Sequence, residues 1–246
     1  MRRTRFALFL LFIFVRLLAQ DDPEPNRFLK SFIVDNTSIA LFKLWDKKNT
    51  PPSDPIVFVG SSSIRKWETA NYFPELPIIN RGFGGAHISD VNYFINETVL
   101  KYGPKVIVFY AGDNDINYGK TPKNVFLDYC LFVDKVHLTY PKTKIIFISI
   151  KPSISRWALW PKMRDTNNLI NQFSKNHSLL YYVDVASPMI GDDGLPRPNL
   201  FVNDGLHLSK KGYDLWSNFL DNILRSQYSK STKDEGFLGI IKNIID

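Results

Sequence analysis

The chain has 246 residues, 44% of them hydrophobic, which suits one ordinary globular domain with a substantial core and does not indicate intrinsic disorder. The formal net charge is +7, but four of the arginines lie in the first 19 residues, which contain no acidic residue. The remainder of the chain carries only +3, so no nucleic-acid partner is expected. The single cysteine, Cys130, excludes an intramolecular disulfide.

The first predicted element is a secretory signal peptide in residues 1–19. The segment MRRTRFALFLLFIFVRLLAQ begins with arginines, continues with an apolar run from Phe6 to Val15, and reaches a small residue at Ala19. A helix needs about 20 apolar residues to span a bilayer, and Arg16 interrupts this shorter run. We therefore expect cleavage after Ala19 and a secreted or periplasmic protein. Membrane attachment is the alternative if the segment is not cleaved.

Residues 20–228 are predicted to form one α/β domain. A helical stretch over about 28–48 ends at a Thr-Pro-Pro breaker, and short apolar runs then alternate with helical patterns such as 125–140 and 163–176. The five apolar runs are Ile56 to Val59, Pro77 to Ile79, Lys105 to Ala111, Lys144 to Ile150 and Leu180 to Val185. Several lack polar alternation, which is typical of strands buried on both faces of a parallel sheet. This pattern predicts a three-layer α/β/α sandwich with five parallel strands.

The C-terminal extension, residues 229–246, ends in an apolar pattern of helical period. Its apolar residues are Phe237, Ile240, Ile241 and Ile244. This spacing predicts a helix that docks on the body of the protein. Binding to a membrane surface or to a partner chain are the alternatives.

Five segments follow the predicted strands and are the candidates for function, because ligands bind outside the carboxyl ends of the strands in open α/β sheets. They are GSSSIRKW, NRGFGGAH, AGDNDIN, IKPSISRW and the loop after Val185. The sequence contains no phosphate-loop, H-E-x-x-H, C-x-x-C or G-x-S-x-G motif. Taken singly, GSSS also fits a helix cap and AGDNDIN a hydrogen-bonded turn. Their joint occurrence at one sheet edge favours a serine nucleophile with partners.

Four histidines are candidates for the base that such a serine needs. His137 lies in mid-helix, and His177 precedes the fifth strand, at the opposite edge of the sheet. His207 follows Asp204 by three residues, and this offset in a tight turn lets the carboxylate bond Nδ1 and leaves Nε2 for a serine. His207 is therefore the predicted base, with His87, after the second strand, as the alternative.

Four short blocks together resemble the SGNH hydrolases, also called the GDSL-type esterases and lipases. The blocks are GSSS at 60–63, NRGFGG at 80–85, GDND at 112–115 and DGLH at 204–207. The resemblance covers most of residues 38–222 and implies the flavodoxin-like SGNH hydrolase fold for the domain 20–228. One departure is Ser61, which stands where the family usually carries Asp.

The resemblance implies a set of site residues. The nucleophile two positions after the glycine is Ser62, with His207 as base and Asp204 as the acid that orients it. The oxyanion hole would consist of the backbone N–H groups of Ser62 and Gly85 and the side-chain amide of Asn114. The residue types agree with these roles, since glycine lets a backbone approach the substrate and an amide donates hydrogen bonds that neighbouring carboxylates cannot.

The implied activity is that of a serine esterase that removes a short acyl group through an acyl-enzyme. Substrate contacts are predicted for His87, Arg156 and Trp157. The expected substrate is a small-molecule or glycan ester, and export together with the aromatic residues favours an acylated glycan over a cytosolic thioester. The alternative for the segment around Trp157 is an ordinary amphipathic helix start. A non-catalytic glycan- or lipid-binding domain and an acyltransferase with the same triad are the alternative functions. No metal or organic cofactor is expected, and the oligomeric state is left open.

Overall fold

The computed structural model describes residues 22–29 and 39–245, and for residues 230–245 it describes the helical backbone alone. The predicted signal peptide, residues 1–19, lies outside the described residues. Among the helices of the described part, none is long and apolar enough to cross a membrane.

Five parallel strands form one sheet, as the apolar runs predict. They are β1 (Ile56–Gly60), β2 (Ile78–Gly82), β3 (Val106–Tyr110), β4 (Lys144–Ile148) and β5 (Leu180–Val183). Every residue of β1 and β3 is buried. Burial on both faces explains why these central strands appear in the sequence as continuous apolar runs.

The strand order is β2-β1-β3-β4-β5, which is the flavodoxin-like order. The direction of winding changes between β1 and β3, and such a switch point opens a crevice at the carboxyl ends of the strands. Gly60, Gly82 and Tyr110, which end β1, β2 and β3, lie side by side in register. The loops that follow these strands therefore start at the same edge of the sheet.

Helices cover both faces of the sheet. Within the described ranges they are α1 (Ile39–Lys48), α2 (Ser62–Arg65), α3 (Thr69–Tyr72), α4 (Ile88–Tyr93), α5 (Ile95–Thr98), α6 (Asp113–Tyr118), α7 (Pro122–Thr139), α8 (Trp160–Lys175) and α9 (Lys210–Ile245). The helices predicted over 125–140 and 163–176 are confirmed as α7 and α8. Of the helical stretch predicted over 28–48, the described part contains α1, and a 3-10 turn at Pro25–Phe28 precedes it. Residues 30–38 lie outside the described part.

Two hydrophobic cores flank the sheet. On one face, Val57 of β1 packs in a core that includes Tyr129 of α7 and Ile170 of α8. On the other face, Phe58 of β1 packs in a core that includes Trp216 of α9. Because neighbouring residues of one strand enter opposite cores, the sheet forms the middle layer of the predicted α/β/α sandwich.

The last helix, α9, anchors its first half on the sheet. The hydroxyl of Ser209 accepts a hydrogen bond from the N–H of Gly212 at 3.3 Å, and Trp216 and Leu224 are fully buried. The helix continues to Ile245, so the C-terminal extension starts as a continuation of the domain's last helix. The side chains of its residues from 230 onward lie outside the described part, and its docking stays a prediction.

Candidate active site

Strand β1 ends in a turn that only glycine fits. Gly60 has a φ of +137°, and a Cβ on this residue would lie 1.8 Å from the backbone oxygen of Tyr110 in β3. The N–H of Ser61 donates to that same oxygen at 2.9 Å, and α2 starts directly afterwards at Ser62. The close approach of the two backbones therefore sets where the three serines point.

The three adjacent serines differ in exposure. Ser61 and Ser63 are each 1% exposed, and the hydroxyl of Ser61 has no hydrogen-bond partner among the described residues. Ser62, between them, is partly exposed, and its Oγ lies 3.1 Å from Nε2 of His207. Ser62 is therefore the serine that combines access to solvent with a base.

His207 and Asp204 meet across a tight turn. The turn is closed by a hydrogen bond from the N–H of Gly205 to the oxygen of Val202 at 2.9 Å. Oδ2 of Asp204 lies 2.6 Å from Nδ1 of His207, while Oδ1 accepts from the N–H groups of Leu206 and His207, both at 2.8 Å. When Nδ1–H donates to the carboxylate, Nε2 is left to accept the hydroxyl proton of the serine.

The carboxyl of Asp204 is held in its ionised form. Desolvation acts to raise its pKa, but hydrogen bonds from the ring and N–H of His207 and from the N–H of Leu206 outweigh it, and the pKa lies below its ordinary value. An ionised Asp204 keeps the imidazole in the tautomer with a bare Nε2 and stabilises the imidazolium that forms when this nitrogen takes a proton.

The loop after β2 presents Gly85 to open space. Gly85 has a φ of +74°, and no atom lies within 4 Å of a Cβ built on it. Two residues earlier, the N–H of Phe83 donates to the oxygen of Gly60 at 2.9 Å. This bond connects the loop that carries Gly85 to the turn that carries Ser62, the predicted nucleophile.

The loop after β3 carries Asn114, which is partly exposed. Its Nδ2 donates to the backbone oxygen of Ala86 at 3.0 Å, so the side chain lies against the loop of Gly85. The structure thus brings the loops of Ser62, Gly85 and Asn114 together by hydrogen bonds. Backbone and side-chain N–H donors of this kind suit an oxyanion hole.

The sequence relationship agrees with this geometry. The model of the GDSL-like Lipase/Acylhydrolase family matches residues 62–215, which run from the candidate nucleophile past the candidate base. The chain belongs to this family. Membership supports a hydrolase that acts on esters. No curated protein sequence matches the chain.

Solved structures share the GDSL-like fold at low identity. A Streptococcus pneumonia protein with the provisional description of a platelet activating factor is 21% identical, with a TM-score of 0.71, over 87% of this chain and 99% of that one. A GDSL-like lipase from Bacteroides thetaiotaomicron is 20% identical, with a TM-score of 0.65, over 77% and 99%. A carbohydrate esterase of family 3 from Talaromyces cellulolyticus is 16% identical, with a TM-score of 0.58, over 72% and 99%. At these identities the likeness shows the fold.

In this GDSL-like protein, Arg156 contacts the site's own residues. Its Nη1 and Nη2 both donate to Oδ1 of Asn114 at 3.1 Å. Nη1 also lies 3.3 Å from Oδ2 of Asp113, and the arginine side chain is 14% exposed. The guanidinium is thus engaged by an amide and a carboxylate of the protein, and the predicted contact of Arg156 with substrate stays a prediction.

Lys151 occupies a position that the sequence pattern did not reveal. It is 1% exposed, and its Nζ donates to Oδ2 of Asp113 at 2.8 Å and to the hydroxyl of Tyr110 at 3.0 Å. Burial lowers the pKa of Lys151 and outweighs the negative charge of Asp113, which acts to raise it. Burial also acts to raise the pKa of Asp113, but Lys151 and Arg156 outweigh it and hold that pKa below its ordinary value.

A signal for this ion pair exists in the register. Lys151 lies three residues beyond the end of β4, and Asp113 lies three residues beyond the end of β3. The two strands are neighbours in the sheet, so opposite charges at equal distances past their ends are brought together.

Trp157 lies in the 3-10 turn Ile154–Leu159 that precedes α8. It is partly exposed and stacks on Trp160, with ring centroids 6.1 Å apart and planes at 11°. The N–H of Ser155 donates to the oxygen of Gly205 at 3.1 Å, so this turn borders the loop of the base. The role of Trp157 in substrate binding stays a prediction.

His87 is buried at the N-terminus of α4, two residues after Gly85. It is 5% exposed, its Nδ1 lies 3.7 Å from Oδ1 of Asp22, and its ring packs edge-on to Tyr118. This position contradicts the prediction that His87 contacts substrate, because protein groups cover the ring. The alternative assignment of His87 as base is also not met, since it is His207 that bonds the serine.

A partly buried cluster of charges lies beside His87. Lys120 pairs with Asp22 at 2.6 Å and with Asp128, and it lies 4.0 Å from Oδ1 of Asp115. Asp22 belongs to the described N-terminal segment 22–29, so its ion pair fastens this segment to the body of the domain. Burial raises the pKa of the Asp115 carboxyl to about 6.

This raised pKa predicts a pH-dependent stability difference between the wild type and Asp115→Asn. The folded state binds the Asp115 proton more tightly than the unfolded chain, so this group makes the unfolding free energy fall as the pH rises from about 4 to about 6. Asparagine does not titrate. The unfolding free energy of Asp115→Asn minus that of the wild type should therefore increase by roughly 2–3 kcal/mol as the pH rises across this window.

Urea unfolding of both proteins at pH values of about 4 to about 7 measures this difference. The same series on Asp165→Asn, at an exposed position in α8, serves as the control and should give no such gain. A constant difference between the wild type and Asp115→Asn across the range would show that Asp115 titrates as an ordinary carboxyl.

Proposed function

We propose that the protein is a serine esterase that hydrolyses an ester of a short acyl group through a covalent intermediate on Ser62. One observation carries the proposal: a continuous hydrogen-bonded chain from Asp204 through His207 to Ser62, with contacts of 2.6 and 3.1 Å. These contacts are within the range that proton transfer between a nucleophile, its base and an orienting acid needs. The partial exposure of Ser62 gives a substrate access to the nucleophile.

Acylation begins when Oγ of Ser62 attacks the ester carbonyl carbon and Nε2 of His207 takes the hydroxyl proton. The oxyanion that forms accepts hydrogen bonds from the N–H groups of Ser62 and Gly85 and from Nδ2 of Asn114. When this intermediate collapses, the bond to the alcohol oxygen breaks and the imidazolium donates its proton to that oxygen. The alcohol leaves, and the acyl group stays on Ser62.

Deacylation repeats these steps with water as the nucleophile. His207 takes a proton from water as the water oxygen attacks the acyl carbon, and the same donors stabilise the second oxyanion. The bond to Oγ of Ser62 then breaks and the proton returns to Oγ. The products are a carboxylic acid and the free enzyme.

Hydrolysis is favoured over the two alternative functions. An acyltransferase must exclude water from its acyl-enzyme, whereas the side chains of His207 and Asp204 are 21% and 47% exposed. A non-catalytic binding domain has no need of the aligned contacts among Ser62, His207 and Asp204. We therefore assign water as the acyl acceptor.

For the substrate class, the proposal names an acylated glycan. The stacked pair of Trp157 and Trp160 offers partly exposed aromatic surface beside the loop that carries His207. Aromatic faces pack well against the apolar faces of sugar rings, whose edges are polar. A carbohydrate esterase of family 3 is among the proteins that share the fold. These features support a sugar as the alcohol part of the ester.

Export is also part of the proposal. Cleavage after Ala19 leaves Gln20 as the first residue, two positions before Asp22, whose carboxylate pairs with Lys120. The part of the chain that is bound to the domain by this ion pair thus begins close to the proposed cleavage point. The mass of the protein from its native host should correspond to a chain that begins at Gln20, and a mass that includes Met1 contradicts cleavage.

The proposed activity is tested with p-nitrophenyl acetate, butyrate and octanoate and with acetylated xylan oligosaccharides. We expect turnover of the acetate ester and release of acetate from the oligosaccharides. His207→Ala should lower turnover by about 10³-fold or more, while the exposed His177→Ala should not change it. Equally slow hydrolysis by the wild type and His207→Ala contradicts the esterase. Hydrolysis of the p-nitrophenyl esters without release of acetate from the oligosaccharides contradicts the proposed glycan substrate but leaves the esterase activity standing.

Asn114→Ala should lower kcat for p-nitrophenyl acetate by about 10²- to 10³-fold, because it removes one oxyanion donor, and should change KM little. Steady-state kinetics measure both parameters. Asn176→Ala, at an exposed position at the end of α8, is the control and should match the wild type. A change confined to KM would place Asn114 in substrate binding instead of the oxyanion hole.

A further inference from the structure

We propose that Arg156 is a positioning residue that holds the side-chain amide of Asn114 in the orientation needed for the oxyanion hole. The proposal rests on the esterase function proposed above. Its basis is the double contact in which Nη1 and Nη2 of Arg156 both donate to Oδ1 of Asn114 at 3.1 Å. The role differs from that of a substrate ligand, since Arg156 acts through Asn114.

The hydrogen bonds around Asn114 fix which end of the amide faces the substrate. Oδ1 accepts two bonds from Arg156, and one N–H of Nδ2 donates to the oxygen of Ala86 at 3.0 Å. Rotating the amide by half a turn would place its NH2 group against the guanidinium and its oxygen against the oxygen of Ala86. Both contacts would be repulsive. The second N–H of Nδ2 is the donor that this arrangement leaves for an oxyanion.

Arg156 is itself anchored by buried charges. Its Nη1 lies 3.3 Å from Oδ2 of Asp113, and the same carboxylate oxygen accepts from Nζ of Lys151 at 2.8 Å. The side chains of Asp113 and Lys151 are 5% and 1% exposed. A guanidinium that bonds both a carboxylate and an amide with its planar fork loses little freedom per bond.

The turn that carries Arg156 is also tied to the base. Arg156 lies in the 3-10 turn Ile154–Leu159, with a φ of −121° and a ψ of 22°. In the same turn, the N–H of Ser155 donates to the oxygen of Gly205 at 3.1 Å, within the loop between Asp204 and His207. One short segment therefore contacts both the oxyanion donor and the loop of the base.

A double-mutant cycle in p-nitrophenyl acetate hydrolysis tests the proposal. Arg156→Ala should lower kcat by about 10- to 100-fold with little change in KM, because the oxyanion donor is displaced without loss of a substrate contact. In an Asn114→Ala background, adding Arg156→Ala should change kcat less than about two-fold. If the two effects multiply, Arg156 acts independently of Asn114 and the proposal is overturned.

Arg156→Lys separates positioning from charge. It keeps a cation beside Asp113 but replaces the two-pronged donor with one amine, so it should recover only part of the lost kcat. Full activity in this variant would show that charge alone suffices and would overturn the positioning role. If Arg156→Ala does not fold, Arg156→Lys replaces it in the double-mutant cycle with Asn114→Ala. Arg164→Ala, at an exposed position in α8, is the matched arginine control.

The side-chain amide of Asn114 gives a readout that does not depend on turnover. In ¹⁵N-labelled wild type it should give one well-ordered pair of N–H signals with slow hydrogen exchange, and in Arg156→Ala these signals should broaden and exchange faster. Unchanged signals would overturn the proposal. If the wild type shows no esterase activity, the proposed function fails, and this measurement still decides the positioning of Asn114.

Discussion

Ser62→Ala is expected to lower kcat for p-nitrophenyl acetate by about 10⁴-fold or more, because the covalent step cannot occur without the hydroxyl. The fold should survive, since Ser62 is partly exposed and its side chain makes the 3.1 Å bond to His207 at the surface of the site. Residual turnover would come from direct attack of water on the ester, with the oxyanion donors stabilising the charge that forms on the carbonyl oxygen. Steady-state kinetics with a thermal melt of each protein measures both outcomes.

The neighbouring serine provides the control for this substitution. The hydroxyl of Ser61 is buried and has no hydrogen-bond partner among the described residues, so Ser61→Ala removes an unsatisfied polar atom and should leave kcat within a few-fold of the wild type. If Ser62→Ala keeps most of the activity while Ser61→Ala loses it, the nucleophile is assigned to the wrong serine.

Gly60→Ala is expected to destabilise the protein by more than about 4 kcal/mol, which is a large share of the stability of a typical domain. The reason is steric: its Cβ would lie 1.8 Å from the backbone oxygen of Tyr110, and the φ of +137° is one that L side chains rarely adopt. The central strands β1 and β3 would have to separate to relieve the contact. Urea unfolding or loss of soluble protein measures the effect.

Gly194→Ala is the matched control for the steric argument. Gly194 also has a positive φ, of +75°, but no atom lies within 4 Å of a Cβ built on it. The expected cost is only about 1–2 kcal/mol, from backbone strain alone. If Gly60→Ala is as stable as Gly194→Ala, the backbones of β1 and β3 must lie farther apart at Gly60 and Tyr110 than in this structure.

The architecture was predictable because its central strands are buried on both faces. Continuous apolar runs leave few alternatives for β1 and β3, and their succession with helices implies a parallel sheet. Strand β2 was harder to delimit, because its second half is Asn80, Arg81 and Gly82 and apolar periodicity does not detect it. Polar residues complete this edge strand because the side chain of Asn80 donates to the backbone oxygen of Ile64 and that of Arg81 donates to the carboxylate of Asp46.

The candidate triad was proposed from local signals together with the family resemblance, which singled out Ser62 among three adjacent serines. Ser62 follows a strand end, and Asp204 and His207 lie three residues apart in one turn. The roles of His87 and Arg156 were not predictable in the same way. His87 meets Asp22 and Arg156 meets Asn114 only through the tertiary fold, and neither separation in the sequence carries a period or a motif.

The central claim is that Ser62 is a nucleophile activated by His207, and covalent labelling tests it most directly. The wild type is incubated with a fluorophosphonate, and the adduct is located by mass spectrometry of the intact protein and its peptides. The account predicts one phosphonyl group on Ser62, none on Ser62→Ala, and labelling slowed by about 10³-fold or more in His207→Ala. An unlabelled wild type, or an adduct on Ser61 or Ser63, would contradict it.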